Sequence, residues 1–134
     1  MSEDEKSEWQ KAVEHQRFID RRLRDYRRAN PETVKTFMDF WRQTKHKSAI
    51  PQKYKELIEL ALVIYGRCVP CIYQHTKLCL QAGATPEEII DASMQAVAIG
   101  GAILYDYLAY VMETIENFKT RSSADEDNKK VSAE

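Results

Sequence analysis

Between Pro51 and Gly66 the chain carries Leu57, Ile58, Leu60, Ala61, Leu62, Val63 and Ile64, seven apolar residues in eight positions. Wound as a helix, such a run is apolar on nearly every face, and a helix of that kind must be covered by other elements. The fold is therefore expected to be built around it as a central, buried helix. Pro51 suits its first turn and Gly66 its end. Glu56 and Glu59 fall in its early turns, where negative charge favours the helix macrodipole.

The segments available to cover it are helical as well. Trp9, Val13, Ile19, Leu23 and Tyr26 fall at helical spacings in an otherwise polar stretch, which predicts a long amphipathic helix. It ends near Ala29, because Asn30 precedes Pro31 and a residue before proline is pushed out of the helical region. Pro31 then opens a second helix with the stripe Val34, Phe37, Met38 and Trp41, and the pattern dissolves in Lys45-His46-Lys47-Ser48. Beyond Gly66 and Arg67 a fourth helix runs from about Cys68 or Pro70 to Ala82, with Gly83 as its stop. Thr85-Pro86-Glu87-Glu88 combines an N-cap, a first-turn proline and a capping-box glutamate, and starts a fifth helix carrying Ile89, Ile90, Ala92, Ala96 and Val97. Gly100-Gly101 marks a break or a close helix contact. A sixth helix buries Leu104, Tyr107, Leu108, Val111, Met112, Ile115 and Phe118. No segment alternates as a strand does, so the fold class is all-α with about six helices. At 134 residues the chain fits a single domain, expected over residues 1–121. The polar run 122–134 has too little apolar content to fold.

Charge narrows the function classes. Twenty basic side chains face twenty-one acidic ones, which points to no polyanionic partner. Arg17, Arg21, Arg22, Arg24, Arg27 and Arg28 invite a nucleic-acid reading, but Asp20 and Asp25 interleave them and no stacking aromatics accompany them. They read as a solvated helix face or a subunit contact. The opening Met1-Ser2-Glu3-Asp4-Glu5 is acidic where a secretory signal is basic and then apolar, and no apolar run approaches the ~18 residues of a membrane span. A cytoplasmic protein without membrane association is expected. In a reducing compartment, a close pair among three cysteines favours redox, catalytic or metal chemistry over a structural disulfide.

That pair is Cys68 and Cys71, with His75 four residues after the second cysteine and Glu56 twelve before the first. Two thiols at this spacing on a helix lie about one turn apart, near the separation a disulfide can bridge, so the pair can open and close in place. A thiol reacts as thiolate, and an imidazole one turn away is a suitable proton acceptor. On a continuous rod Glu56 would lie ~18 Å from Cys68 at the helical rise. An antiparallel hairpin about Gly66 and Arg67 instead sets Glu56 opposite residues 75 to 79. The expected chain is Glu56 carboxylate, His75 imidazole and Cys71 thiol, with Cys68 as second thiol.

Plainer readings compete. Glu56 can pair with Lys53, and Glu59 is assigned a structural pairing with Lys55. Cys68, Cys71, His75 and Cys79 form one helical stripe that suggests zinc, yet the span from Cys68 to Cys79 is ~16 Å by helical rise against ligand bonds of ~2.3 Å. No metal site is expected from that stripe. Cys79 reads as a buried small hydrophobe. His15 and His46 have no partner identifiable from the sequence.

The spacing of Glu56, Cys68, Cys71 and His75, in the apolar setting Glu56-Leu57-Ile58-Glu59-Leu60-Ala61, resembles the alkylhydroperoxidase D-like branch of the carboxymuconolactone decarboxylase superfamily. The resemblance covers roughly Ile50 to Phe118 and leaves the two N-terminal helices outside it. It implies an all-helical fold and a thiol peroxidase or disulfide reductase. In such proteins the second cysteine, here Cys71, attacks the peroxide, the first, here Cys68, resolves the sulfenic acid, and Glu56 and His75 form the proton relay. The resemblance further implies a hydroperoxide substrate, dihydrolipoamide or another dithiol as electron donor, a peroxiredoxin or lipoylated protein as partner, no bound cofactor, and a trimer or hexamer. Pro70 stands where characterised members carry another histidine, which implies a shorter relay and a weaker peroxidase. Two other functions remain: decarboxylase-type chemistry on a lactone, which has no use for a vicinal dithiol, and a non-catalytic redox sensor or oligomeric binding protein of the same fold.

Overall fold

The structure, a computed structural model, describes residues 2–46 and 49–132. Six α-helices and two short 3-10 turns account for its regular elements, and there is no strand among the described residues. The chain separates into two units on either side of the Lys55–Glu56 bond.

The first unit holds α1, Glu8–Ala29, and α2, Pro31–Lys45, which pack on each other. A capping box at Ser7, whose hydroxyl accepts from the Gln10 N–H at 3.1 Å, starts α1. Asn30 leaves helical geometry ahead of Pro31, as expected of a residue before proline. Neither helix contains a buried residue; Phe18, Leu23, Tyr26, Phe37 and Phe40 are exposed. The arginines of α1 lie on its solvated surface, Arg22 paired with Asp25 at 3.0 Å. His15 stacks near Phe18, and His46 closes α2 through its backbone N–H. Lys47 and Ser48, in the loop expected after α2, lie outside the described residues, as do the last two residues of the chain.

The second unit takes α3, Gln52–Tyr65, from Glu56 onward, then α4, Val69–Gln81, α5, Pro86–Gly100, a 3-10 turn at Ala102–Tyr107, and α6, Leu108–Ser132. Its core joins Leu60 and Ile64 of α3, Ile72 and Cys79 of α4, Ile89 and Ala96 of α5, Leu104, and Val111 and Ile115 of α6. Truncating one of the large aliphatic residues there to alanine should cost about 2–5 kcal/mol. Thr76 and Thr114, buried among them, return their hydroxyls to the carbonyls four residues earlier, at 2.7 and 2.8 Å.

Two expectations need correction, and the turn between them is as expected. The helix expected to be buried on every side is buried on one: Glu56, Leu60 and Ile64 face inward, while Ile58, Leu62 and Tyr65 are 48%, 63% and 58% exposed. Four helices in one layer around a core cannot surround any one of their number, so each keeps an outer face. The break expected at Gly66 and Arg67 is present, with Arg67 as its left-handed residue, at φ 57°, Arg67 N–H bonded to the Ile64 carbonyl at 3.0 Å and Cys68 N–H to the Val63 carbonyl at 3.2 Å. These are the two bonds of a Schellman stop. The polar segment from Ser122, expected not to fold, continues as α6 to Ser132. Extending an existing helix adds one hydrogen bond per residue without a new nucleation cost.

Both readings of the glycine pair hold, one at each residue. Gly101, at φ 93°, breaks the helix, and a Cβ built on Gly100 would overlap Leu104 Cδ1 and come to 3.0 Å from Tyr65 Cδ2.

Candidate redox site

The reversal at Arg67 makes α3 and α4 the antiparallel hairpin on which the site depends. Cys68 is the N-cap of α4, and Val69 and Pro70 fill its first two helical positions. Pro70 has no N–H to lose there and its fixed φ is preset for a helix. Cys71 follows at the third position. The Sγ atoms of Cys68 and Cys71 are bonded at 1.97 Å, with Cα atoms 5.1 Å apart, inside the range a disulfide spans without backbone distortion. Both cysteines are half-buried at the positive end of the α4 dipole, which favours a thiolate over a thiol when the bond is reduced.

One turn beyond Cys71 stands His75, its side chain 13% exposed. Its Nδ1 lies 3.6 Å from Glu56 Oε2 across the hairpin. The Glu56 side chain is 3% exposed, so this carboxylate faces the imidazole in a nearly dry environment. A proton held on Nδ1 toward a carboxylate leaves Nε2 as the basic nitrogen of the ring. The sequence-derived residues Glu56, Cys68, Cys71 and His75 therefore fall on two adjoining helix segments: the two sulfurs bonded, and the carboxylate beside the imidazole.

Glu59 was assigned elsewhere by the sequence and is found here. Its Oε2 lies 3.5 Å from the same Nδ1, and its oxygen, that of Glu56 and the ring nitrogen all fall within 4.8 Å of one another. Lys55, the assigned partner of Glu59, donates instead to the Thr44 carbonyl. The available signal was the three-residue interval between Glu56 and Glu59, which puts both carboxylates on one helix face. Of the cysteines in the stripe, Cys68 and Cys71 are joined to each other, and Cys79 is fully buried in the core.

Comparison with known proteins agrees with the fold. A sequence profile described as the carboxymuconolactone decarboxylase family matches residues 31–112. The match takes in α2, so the family portion starts earlier than Ile50; α2 carries an apolar stripe but no motif from which this could be read. An uncharacterised protein of Cupriavidus necator is 26% identical over 83 residues, 62% of this chain and 74% of that protein. A carboxymuconolactone decarboxylase family protein of Legionella pneumophila, solved in its apo form, superposes with a TM-score of 0.75 at 30% identity, covering 81% of this chain and 96% of that one. A family member from Thermotoga maritima, for which a part in the antioxidative response has been suggested, gives a TM-score of 0.73 at 28% identity over 87% and 96% of the two chains. A helical hairpin carrying the Cys-x-x-Cys pair, a profile match over more than half the chain and this superposition lead to one assignment: the chain belongs to the carboxymuconolactone decarboxylase family.

Proposed function

We propose that the chain is a thiol-dependent peroxidase or disulfide reductase of the alkylhydroperoxidase D-like branch. The observation that carries this reading is the Cys68–Cys71 disulfide at the start of α4, one turn ahead of an imidazole held beside a buried carboxylate. Once a dithiol such as dihydrolipoamide has reduced the pair and left as its own disulfide, His75 accepts the Cys71 proton and Glu56 stabilises the imidazolium. The Cys71 thiolate attacks the terminal oxygen of a hydroperoxide. The O–O bond breaks, Cys71 becomes a sulfenic acid, and the alkoxide leaves as alcohol with the proton His75 returns. Cys68 then displaces water from the sulfenic acid and restores the disulfide. With proline at position 70, the relay runs through His75 without a second histidine between the cysteines. The antioxidative role suggested for the Thermotoga maritima protein supports the same reading.

The test is steady-state consumption of an organic hydroperoxide with dihydrolipoamide as reductant. Turnover by the wild type is expected, abolished in Cys71→Ser and in Cys68→Ser and lowered roughly 10²- to 10⁴-fold in His75→Gln. Disulfide formation with peroxide but no turnover with any dithiol would leave a redox sensor in place of an enzyme.

A further inference from the structure

We infer that Glu59 is a second positioning carboxylate for His75, acting jointly with Glu56 on the same ring nitrogen. The inference rests on the thiol chemistry proposed above and adds a residue that the Glu56–His75 relay does not contain. It starts from two nearly equal separations, 3.6 Å from Glu56 Oε2 to His75 Nδ1 and 3.5 Å from Glu59 Oε2 to the same atom. A neutral imidazole has one proton on Nδ1 and can direct it at one carboxylate at a time. An imidazolium placed between two carboxylates is attracted to both, because opposite charge within about 4–6 Å favours the charged form. The arrangement therefore matches the state that exists after His75 has taken the Cys71 proton better than the state before. Two carboxylates with oxygens this close also repel one another, and a positive ring between them removes that repulsion.

The two acids are not equivalent. Glu56 is 3% exposed and Glu59 25%. The low dielectric around Glu56 strengthens its hold on the ring, whereas Glu59 keeps contact with water. Glu56 thus sets the orientation of the imidazole, and Glu59 adds negative charge on the solvent side of the same nitrogen. The interval of three residues on α3 is what allows both to reach one atom, since residues three apart share a helix face. A consequence follows for Glu56. Its removal leaves His75 with one carboxylate, so the loss in Glu56→Gln is partial, and only removal of both acids reproduces the loss in His75→Gln.

The experiment reads the reduced thiol directly, with neither hydroperoxide nor donor present. Rates of Cys71 alkylation by iodoacetamide are followed by peptide mass spectrometry from pH 5 to pH 10 in wild type, Glu59→Gln, Glu56→Gln, the double variant, His75→Gln and His75→Gln/Glu59→Gln. Each protein is first checked for native helicity. Expected at pH 7 is a drop on the order of tenfold in Glu59→Gln, a larger combined drop in the double variant that reaches the His75→Gln rate, and convergence of all profiles at alkaline pH. In the His75→Gln background, Glu59→Gln should change the rate less than twofold. A Glu59→Gln profile within twofold of wild type throughout, or an equal drop in both backgrounds, overturns the inference. So does a profile that shifts on adding zinc or EDTA, which would put a cation between the three side chains. Absence of hydroperoxide turnover with this alkylation pattern intact would remove the proposed function and leave the role of Glu59 standing.

Discussion

Cys68 and Cys71 differ in position more than their shared bond suggests. Cys71 lies inside α4, one turn before His75, while Cys68 is the cap, outside the first turn and three residues farther from the imidazole than i,i+4 contact allows. The thiol with the nearer base should be the one oxidised. With the resolving thiol removed, its product has no partner to condense with, so peroxide treatment of Cys68→Ser should leave a sulfenic acid on Cys71 that dimedone captures. Cys79 should carry no label, because it is fully buried in the core. Mass spectrometry of labelled peptides decides the assignment. Label on Cys68 in Cys71→Ser, with none on Cys71 in the reciprocal variant, would reverse the two roles. At this scale the sequence was informative where one helix carries both partners, as for Cys71 and His75. It was also informative where a reversal of known position folds one segment onto the next, as for Glu56. It was misleading for Glu59, since Lys55 four residues earlier offered a local partner and the placement of α4 on that face depends on the whole hairpin.

The ends of α3 and α4 are the same motif built with different residues. At the end of α4, Gly83 takes φ 89°, its N–H bonds the Leu80 carbonyl at 3.1 Å and the Ala84 N–H bonds the Cys79 carbonyl at 3.0 Å. At the end of α3, Arg67 holds the equivalent left-handed position. A side chain there costs about 1–2 kcal/mol over glycine, partly offset because glycine loses more freedom on folding. Substitutions at the two sites should therefore act with opposite sign: Gly83→Ala should destabilise by about 1 kcal/mol, and Arg67→Gly should stabilise by up to about 1 kcal/mol. Urea denaturation of the two variants measures both. A destabilised Arg67→Gly would mean that the arginine side chain holds the turn by contacts worth more than its backbone strain. The comparison also explains what was legible in the elements. Gly83 and the Thr85 capping box are read correctly because residue type and backbone demand coincide. The stop of α3 falls at the expected Gly66-Arg67 break, but within it the left-handed residue is the arginine and not the glycine beside it. The one-sided burial of α3 could not be read from seven apolar residues in eight, since their number says how much of the helix prefers cover and not which cover this unit supplies.

Apolar residues without cover recur across the molecule. In the second unit Ile90, Met94, Tyr105 and Met112, each between 43% and 59% exposed, line an open groove of about 530 Å³ together with Ser93, Asp106, Leu108, Ala109 and Val111. In the first, α1 and α2 have no buried residue and expose three aromatic rings and Leu23 at half or more of their surface: Tyr26, Phe37 and Phe40. No helix among the described residues is long and apolar enough to cross a membrane, so a bilayer spanned by one is not what covers them. Completing the burial of a half-exposed large side chain is worth about 1 kcal/mol, half the lower part of the range for full burial. Four groove residues together then reach only the low end of the roughly 4–15 kcal/mol that association costs in lost freedom. The four exposed residues of α1 and α2 add a similar amount, so a stable assembly needs both surfaces covered by neighbouring copies. The trimer or hexamer that the resemblance implies would give three or six times 15.6 kDa by light scattering at micromolar concentration. Ile90→Lys with Met94→Lys, one turn apart on α5, removes half of the groove and places two charges at the contact. That variant should sediment as a smaller species, and its melting temperature should lose the rise with protein concentration expected of the assembled wild type, because assembly no longer contributes to stability by mass action. A wild type that is monomeric at micromolar concentration would sink the argument, and an unchanged oligomer in the double variant would place the contact away from α5.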